Sequence, residues 1–367
     1  MQAAEGRGTG VTISDDWRGR RVWVTGHTGF KGSWLCLLLT ELGAEVTGYA
    51  LSPATNPSLF DLANIGAAMR SVIGDVRDAA AVEAAMRAAR PEVIFHLAAQ
   101  PLVRYSYDNP VETYATNVMG TVHVLDAARR IGGARAIVAV TSDKCYENRE
   151  WVWPYRESDP MGGHDPYSSS KGAAELVIAA YRRSYFAGTA TALASVRAGN
   201  VIGGGDWSAD RLIPDLVRAF ERGETPAIRA PMAVRPWQHV LEALGGYVMI
   251  AERLFAGDAG FAAAWNFGPA EEDTQPVGWI VDRMARAWGV PSVYQDWTGP
   301  VSHEAGLLKL DTAKERAALG WRPAMSLSQA IDSIVAWHNA VASGGDARVV
   351  TLGQIRDYLS SLSRVPA

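Results

Sequence analysis

Short apolar runs and longer amphipathic stretches alternate through the first half of this chain. The runs have the length and the β-branched content of buried strands, and they occupy residues 21–25, 45–50, 71–76, 92–100, 136–140 and 191–200. The stretches between them are typical of helices and occupy residues 33–42, 78–89, 110–131 and a segment that starts at 167. Strands that alternate with helices predict an α/β fold, a Rossmann-type doubly wound parallel sheet with its site at the carboxyl ends of the strands.

The alternation ends near residue 201, where glycines, prolines and arginines interrupt the apolar runs. Beyond residue 201 we predict one short strand at residues 265–268. We also predict four helices, at residues 277–288, 312–319, 326–342 and 347–362. We expect four parts. A loose leader spans residues 1–16, and a dinucleotide-binding domain spans residues 17–200. A smaller C-terminal substrate-binding domain, some segments of which return to the first domain, spans residues 201–345, and a tail that can be helical spans residues 346–367.

The composition excludes several classes of protein. Hydrophobic residues make up 48% and charged residues 20% of the 367 positions, which is ordinary for a globular protein with a sizeable core. A net charge of −4 leaves no basic field for nucleic acid or a membrane surface. Two cysteines, Cys36 and Cys145, and the lack of a membrane-length apolar segment predict a cytoplasmic protein without disulfides. No Cys/His spacing predicts a metal site.

A glycine-rich turn follows the first strand and opens the first helix. Its Gly-x-x-Gly-x-x-Gly spacing lets the backbone approach a pyrophosphate at a helix N-terminus, so it predicts a dinucleotide cradle. At the end of the second strand, Ser52 stands where an acid would normally grip the ribose of NAD, so these residues leave NAD and NADP open. The candidate cofactor residues of the turn are Gly26, His27, Thr28, Gly29, Phe30, Lys31 and Gly32. Lys31 either reaches a 2′-phosphate or is simply solvated.

Other strand ends meet the same edge of the predicted sheet. Asp75 follows the third strand and is placed either to meet an adenine edge or to cap a helix, a role for which Asp78 is the better candidate. The fourth strand ends in small residues against which a cofactor can lie, while His96 within it is expected to be a hydrogen-bonded core histidine. The candidate cofactor residues here and in the later helices are Asp75, Val76, Leu97, Ala98, Ala99, Gln100, Asn117, Tyr167 and Lys171.

Candidate chemistry is concentrated between residues 141 and 171. Ser142 emerges at the tip of the fifth strand, and Tyr167 and Lys171 lie one turn apart on one helix face. A phenol with an ordinary pKa of about 10 is a poor base, but a nearby cation favours the phenolate. Ser142 is then placed to hold the same substrate oxygen. Tyr and Lys are both common on helix surfaces, so this pattern is weak evidence by itself. It becomes informative only together with features elsewhere in the chain, such as the glycine turn.

Several longer stretches resemble a known family: residues 24–34, 98–104, 117–123, 141–146, 150–153, 197–207 and 235–240. They are similar to the extended short-chain dehydrogenase/reductases of the NAD-dependent epimerase/dehydratase family, and within it to the nucleotide-sugar 4,6-dehydratases. The resemblance covers about residues 17–338 and implies a tightly held NAD, with NADP still open because of Ser52. Asp143-Lys144 stands where dehydratases for dTDP- or GDP-sugars carry Asp-Glu, which points to a CDP-sugar substrate. The resemblance also implies that the protein acts in the synthesis of deoxy sugars for surface polysaccharide (O-antigen, lipopolysaccharide).

The resemblance implies a role for each candidate catalytic residue. Tyr167, assisted by Lys171 and Ser142, takes the C4 hydroxyl proton. Lys144 removes the C5 proton and Asp143 protonates the departing C6 hydroxyl. From the residues alone, a structural ion pair at a strand end is the favoured interpretation of Asp143-Lys144, and the resemblance reverses it.

The loops after residue 201 supply arginines for phosphates and aromatic rings for stacking, or else they are ordinary surface loops. The candidate substrate-binding residues are Arg104, Asn200, Arg211, Leu212, Arg235, Gln238, His239 and His303. We expect a homodimer or homotetramer. A 4-epimerase or reductase on the same fold, and a non-catalytic NAD-binding sensor of nucleotide sugars, remain alternatives.

Overall fold

The computed structural model describes residues 12–14, 16–299 and 305–362. Its centre is a seven-stranded parallel sheet in the order β3-β2-β1-β4-β5-β6-β11. The sheet strands are β1 Arg21–Thr25, β2 Glu45–Ala50, β3 Arg70–Ile73, β4 Val93–His96, β5 Ala136–Val140, β6 Ala192–Ala198 and β11 Ala264–Phe267. Six short strands pair outside it: β7 Asn200–Ile202 with β10 Trp237–His239, β8 Ala227–Ile228 with β13 Gln295–Asp296, and β9 Val234–Arg235 with β12 Gln275–Pro276.

The described helices cover both faces of the sheet. They are α1 Phe30–Glu41, α2 Leu59–Leu62, α3 Ala79–Ala89, α4 Val103–Asp108, α5 Pro110–Tyr114, α6 Gly120–Ile131, α7 Pro166–Tyr181, α8 Leu212–Glu221, α9 Val240–Phe255, α10 Val277–Trp288, α11 Ala313–Leu319, α12 Leu327–Ala342 and α13 Ala347–Leu362. None of the helices in these ranges is long and apolar enough to cross a membrane.

Alternate residues of the central strands belong to two different cores. Val22 and Val24 pack with α1, α9 and α13 on one face, while Trp23 packs with α3, α6 and α7 on the other. Ile94 of β4 lies on the same face as Trp23. Because successive side chains of a strand point to opposite faces, both layers of helices are buried against one sheet. The predicted doubly wound parallel sheet is confirmed.

A third core lies beyond the sheet and is built by α8, α10 and α12. Ile213, Leu216, Ile280, Met284 and Ile331 are among its buried members. In contrast, α9 and β11 return to the main sheet, β11 as its edge strand beside β6. The cavity described below opens between the strand ends and this third core.

Several elements differ from the sequence prediction. Helix α1 begins at Phe30 rather than at 33, and the predicted helix over 110–131 contains a π-helical turn at Ala115–Met119. The sequence does not predict α8 or α9. Helix α9 is buried on nearly every side, so it lacks the polar face from which a helix is recognised.

The C-terminal helix α13 completes the core on the α1 side. The Trp337 indole donates a hydrogen bond to the Thr351 hydroxyl at 2.9 Å, and Arg356 pairs with Glu41 of α1 at 2.6 Å. The helix predicted over 347–362 is therefore present and packed. Of the predicted leader, residues 1–11 and 15 lie outside the described residues, whereas Ser14 bonds to Glu252 through its backbone amide at 2.9 Å.

Candidate active site

The glycine turn between β1 and α1 is packed so closely that side chains are excluded from it. A Cβ on Gly32 would lie 2.0 Å from the Gly26 carbonyl oxygen, and one on Gly26 would lie 2.8 Å from the Ala98 amide nitrogen. Gly26 also has a φ of 75°, in the left-handed region that favours glycine. Helix α1 follows with Gly29 as its N-cap and no side-chain cap, so its first amides can face an anion. We call this turn the cradle, because its geometry suits a phosphate held by backbone amides.

The ring of His27 lies beneath this cradle and not in it. The ring is fully buried, its Nε2 is 2.7 Å from the Ser71 hydroxyl, and it packs edge-on against Phe60. Gly48 leaves the space that the ring fills, because a Cβ there would lie 2.2 Å from His27 Cγ. Burial lowers the pKa of His27 to about 4. His27 therefore supports the turn with its side chain and can face a cofactor only with its backbone.

The other side chains of the turn have separate roles. The Thr28 hydroxyl donates to the Leu51 carbonyl at 2.8 Å, which ties the turn to the end of β2. The Phe30 ring packs against Gly203. Lys31 lines the large cavity described below. Burial is the main cause that lowers its pKa to about 7, and the cations Arg211 and Lys171 lower it further.

The candidates at the third and fourth strand ends lie at the same edge. The Asp75 carboxylate accepts from Arg77 at 2.6 Å, and Asp78 caps α3, as the sequence predicts. Val76 packs against Gly120 of α6. The His96 ring is 2.8 Å from the Thr25 hydroxyl within the core, which confirms its structural role.

Asn117 joins the end of β4 to α7 from within the π-helical turn. Its Oδ1 accepts from the Gln100 amide at 2.8 Å, and its Nδ2 donates to the Ser170 hydroxyl at 2.8 Å. Leu97 and Ala99 line the cavity beside this junction. The π-turn thus places a buried amide where an unbroken α-helix would place a different residue.

The turn after β5 carries Ser142, Asp143 and Lys144 into the cavity. The Ser142 hydroxyl donates to Asp143 Oδ1 at 3.0 Å and accepts from the Lys144 amide at 3.2 Å. The other oxygen of Asp143, Oδ2, is buried without a hydrogen-bond partner among the described residues. Burial is the main cause that raises the pKa of Asp143, against the cations Lys144 and Arg235 that lower it. The carboxyl is shifted toward the protonated form that can act as an acid.

Tyr167 and Lys171 lie one turn apart on α7, both buried and both lining the same cavity. Burial raises the pKa of Tyr167 to about 12, although a hydrogen bond with Ser142 lowers it in part. Burial also lowers the pKa of Lys171 to about 8, and its Nζ is 3.5 Å from the Val140 carbonyl. Desolvation of the phenolate therefore sets the direction of the Tyr167 pKa, and the assistance of Lys171 stays a prediction.

A single cavity of about 1050 Å³ connects the cradle to the C-terminal core. Five of the predicted substrate-binding residues line it: Arg104, Asn200, Arg211, Leu212 and Arg235. Gln238 and His239 are buried in β10 and are not among the described residues that line the cavity. The Gln238 amide donates to the Phe267 carbonyl at 2.7 Å, and His239 caps α9 and packs edge-on against Trp34. His303 lies outside the described residues.

The cavity also contains a charged cluster, of which the sequence analysis named only Arg104. Asp210 pairs with Arg104 at 2.9 Å and with Arg229 at 3.3 Å. Both guanidinium carbons lie within 6 Å of the Trp297 ring centroid, at 5.9 and 5.8 Å. Arg104 comes from α4 and the others from the C-terminal part, so the cluster bridges the two sides of the cavity. In the sequence, the only signal for this cluster was the density of arginines between residues 211 and 235.

Comparison with known proteins decides the family. The sequence matches the family described as GDP-mannose 4,6 dehydratase over residues 23–334. The chain belongs to this family. It is 52% identical to the CDP-glucose 4,6-dehydratase of Salmonella typhimurium over 353 residues, which are 95% of this chain and 98% of that protein. It is 28% identical to the dTDP-glucose 4,6-dehydratase of Streptomyces griseus over 325 residues, 86% of this chain and 93% of that protein.

Solved structures of the family's relatives share the fold. DesIV, a dTDP-glucose 4,6-dehydratase from Streptomyces venezuelae with NAD bound, superimposes with a TM-score of 0.76 at 25% identity, covering 89% of this chain and 99% of DesIV. A UDP-glucose 4-epimerase from Thermotoga maritima gives 0.76 at 22% identity, covering 88% of this chain and 99% of that chain. The resemblance seen in the sequence motifs and the Rossmann-type architecture are both confirmed.

Proposed function

We propose that this protein is an NAD-dependent hydro-lyase that converts CDP-D-glucose to CDP-4-keto-6-deoxy-D-glucose. One observation carries the proposal: Asp143-Lys144 and the Tyr167–Lys171 pair line one cavity, beside a backbone cradle for a dinucleotide. Oxidation at C4 alone requires only the second pair. The 52% identity to a CDP-glucose 4,6-dehydratase supports the same reaction and the same nucleotide.

The residues present fit NAD. The cradle at Gly26 and Gly32 has no room for a Cβ, and α1 begins there without a side-chain cap, so bare amides are available for a pyrophosphate. When bound, NAD supplies a hydride acceptor for C4 that later serves as the donor to C6. NAD in DesIV supports the choice over NADP, although Ser52 provides no carboxylate.

The chain's own residues then divide the proton transfers. Tyr167 takes the C4 hydroxyl proton while Ser142 holds the same oxygen by hydrogen bonding. A ketone at C4 acidifies the C5 hydrogen, which Lys144 removes. Asp143, shifted toward its protonated form by burial, donates a proton to the departing C6 hydroxyl. Arg211 and Arg235 line the cavity and are placed to bind the diphosphate.

Incubation of the purified protein with CDP-glucose, dTDP-glucose, GDP-mannose and UDP-glucose tests the proposal. We expect a 4-keto-6-deoxy product from CDP-glucose and only slow turnover of the others. The dinucleotide released on denaturation should be NAD, and recovery of NADP alone would contradict the cofactor assignment. Efficient turnover of dTDP-glucose with none of CDP-glucose would refute the assignment of CDP as the nucleotide. A product epimerised at C4 would indicate an epimerase, and binding of the sugar nucleotide without turnover would indicate a sensor.

We also propose that the chain forms a homodimer, or a tetramer built from it, through the outer face of α5, the adjoining π-turn and α7. Val111, Met119 and Leu176 are exposed there at 82%, 46% and 63%. The Tyr114 hydroxyl donates to Ser169 at 3.0 Å, which joins the two helices into one surface. A second copy is the occupant that would cover so many apolar side chains.

A charge placed in this face is expected to break the assembly. Leu176→Glu should reduce the mass measured by light scattering to that of one chain, because a carboxylate would be buried unpaired at the contact. Val349→Glu is the control, since Val349 is 66% exposed on α13. A monomeric unmutated protein, or an unchanged assembly in Leu176→Glu, would refute this surface.

The biological setting is a further part of the proposal. Cys36 and Cys145 are free and buried, which fits the cytoplasmic location expected from the sequence. A 4-keto-6-deoxy sugar nucleotide is a precursor of deoxy sugars, which supports a role in surface-polysaccharide synthesis such as O-antigen. Loss of deoxy sugars from the surface polysaccharide of a deletion strain is the expected result.

A further inference from the structure

Two buried charges lie behind the turn that carries Ser142, Asp143 and Lys144, which we call the dyad turn (residues 142–145). Arg197 on β6 donates from Nε and Nη2 to the two carboxylate oxygens of Glu175 on α7, each at 2.8 Å. The two side chains are 3% and 4% exposed. Burial alone would raise the pKa of Glu175, but Arg197 and further hydrogen bonds outweigh it, so the pKa is lowered and the pair is charged.

This ion pair is bonded to the residues on either side of the dyad turn. The Thr141 hydroxyl, directly before the turn, donates to Glu175 Oε1 at 2.5 Å. Directly after the turn, the Tyr146 hydroxyl accepts from Arg197 Nη1 at 2.7 Å and donates to Asn266 Oδ1 at 2.7 Å. Both ends of the dyad turn are therefore tied to one pair of charges.

The same carboxylate belongs to the helix that carries the oxidising residues. Glu175 follows Lys171 by one turn of α7 and Tyr167 by two turns. The Ser195 hydroxyl also donates to Glu175, at 2.8 Å, which fixes the carboxylate against β6. Through Glu175, the position of the dyad turn is set relative to Tyr167 and Lys171. A buried ion pair contributes little to stability by itself, so its placement calls for another role.

We propose that Glu175 and Arg197 are positioning residues that keep the dyad turn in register with Tyr167, so that C4 oxidation and elimination across C5–C6 act on one pose of the sugar. The inference rests on the proposed dehydratase function. Proton removal at C4 uses Tyr167 and Lys171, both on α7. Proton removal at C5 uses the dyad turn, which is held to α7 through packing, through the hydrogen bond between Ser142 and Tyr167, and through this network. A loosened turn should therefore slow the second step more than the first.

The test uses variants that loosen the turn without leaving a bare buried charge. Removing Glu175 or Arg197 alone would leave its partner unpaired and destabilise the whole fold. Thr141→Val and Tyr146→Phe each remove one hydroxyl and keep the shape of the side chain. Thr351→Val is the matched control, because its buried hydroxyl accepts from Trp337 at 2.9 Å and lies on α13, away from the cavity.

Single-turnover reactions with CDP-glucose, quenched and reduced with borodeuteride, separate the two steps. In Thr141→Val and Tyr146→Phe, we expect elimination to slow by about tenfold or more, since a misplacement on the order of 1 Å can cost about 10²-fold. C4 oxidation and KM should stay close to the unmutated values, so a 4-keto sugar that retains its 6-hydroxyl accumulates. Thr351→Val should show no such accumulation.

The contrary outcomes are distinct. If C4 oxidation and elimination slow equally, the network has only a structural role. If neither step slows, the network has no part in the mechanism. Accumulation of the same species in Thr351→Val would also overturn the proposal, because the effect would then follow from any lost buried hydrogen bond. If the unmutated protein forms no 4-keto-6-deoxy sugar, the proposed function itself fails, whatever the variants do.

Discussion

Tyr167→Phe is expected to lower the turnover of CDP-glucose by about 10²- to 10⁴-fold, the usual contribution of a positioned proton acceptor. The variant keeps the ring that packs in the cavity wall and removes only the hydroxyl bonded to Ser142. Burial raises the pKa of this phenol to about 12, and only its phenolate can accept the proton of the C4 hydroxyl, so Tyr167 must be deprotonated in the complex that reacts. The measurement is kcat from the rate of 4-keto product formation.

The matched control is Tyr185→Phe, because Tyr185 is 48% exposed and does not line the cavity. We expect its turnover to equal that of the unmutated enzyme. Near-normal turnover in Tyr167→Phe would remove this residue from the oxidation step.

The second large effect concerns Lys144→Ala, which should stop dehydration and leave oxidation at C4 intact. Without a base for the C5 hydrogen, water is not eliminated and C6 cannot accept hydride. Product formation is expected to fall by at least about 10²-fold, while reduced-nicotinamide absorbance rises under single-turnover conditions. Lys309→Ala is the control, since Lys309 pairs with Glu271 at 3.8 Å outside the cavity. Normal dehydration by Lys144→Ala would assign the base to another residue.

Isotopes in the unmutated enzyme check the same order of steps. Deuterium at C4 of the sugar should reappear at C6 of the same molecule, and solvent hydrogen should enter at C5. An epimerase would return the label to C4, and a simple dehydrogenase would lose it to free cofactor. Lys144→Ala should show no solvent exchange at C5. A product with the C6 hydroxyl intact would exclude dehydration.

The cradle and the catalytic helix were predictable because they depend on short-range order. The turn from Gly26 to Gly32 follows a strand and opens a helix. Glycine is required at such a turn because a side chain would not fit or would not adopt the backbone conformation, and this can be inferred from neighbouring residues. The one-turn spacing of Tyr167 and Lys171 is equally local, so both residues reach the same cavity. The Asp143-Lys144 assignment depended on resemblance, since the residues alone also fit an ion pair.

The direction in which a side chain faces was not predictable from the sequence. His27 was predicted at the cofactor, but its ring fills the space left by Gly48, 21 positions along the chain. Gln238 and His239 belong to a motif shared with the family, yet their side chains bond within the core. A motif shows which residues occur together and not which of them point into the cavity.

By itself, the sequence determined the order of three features along the chain: a glycine turn suited to a phosphate, then Ser142 at the tip of the fifth strand, then a tyrosine and a lysine one helical turn apart. These features follow from period and spacing, which are properties of neighbouring residues. Only the tertiary structure decided the pKa directions and the partners. Burial raises the pKa of Tyr167 against the expected effect of its lysine, and Glu175 meets Arg197 and Thr141 across two strands of the sheet. Desolvation and long-range pairing depend on residues far apart in the chain, so no local pattern records them.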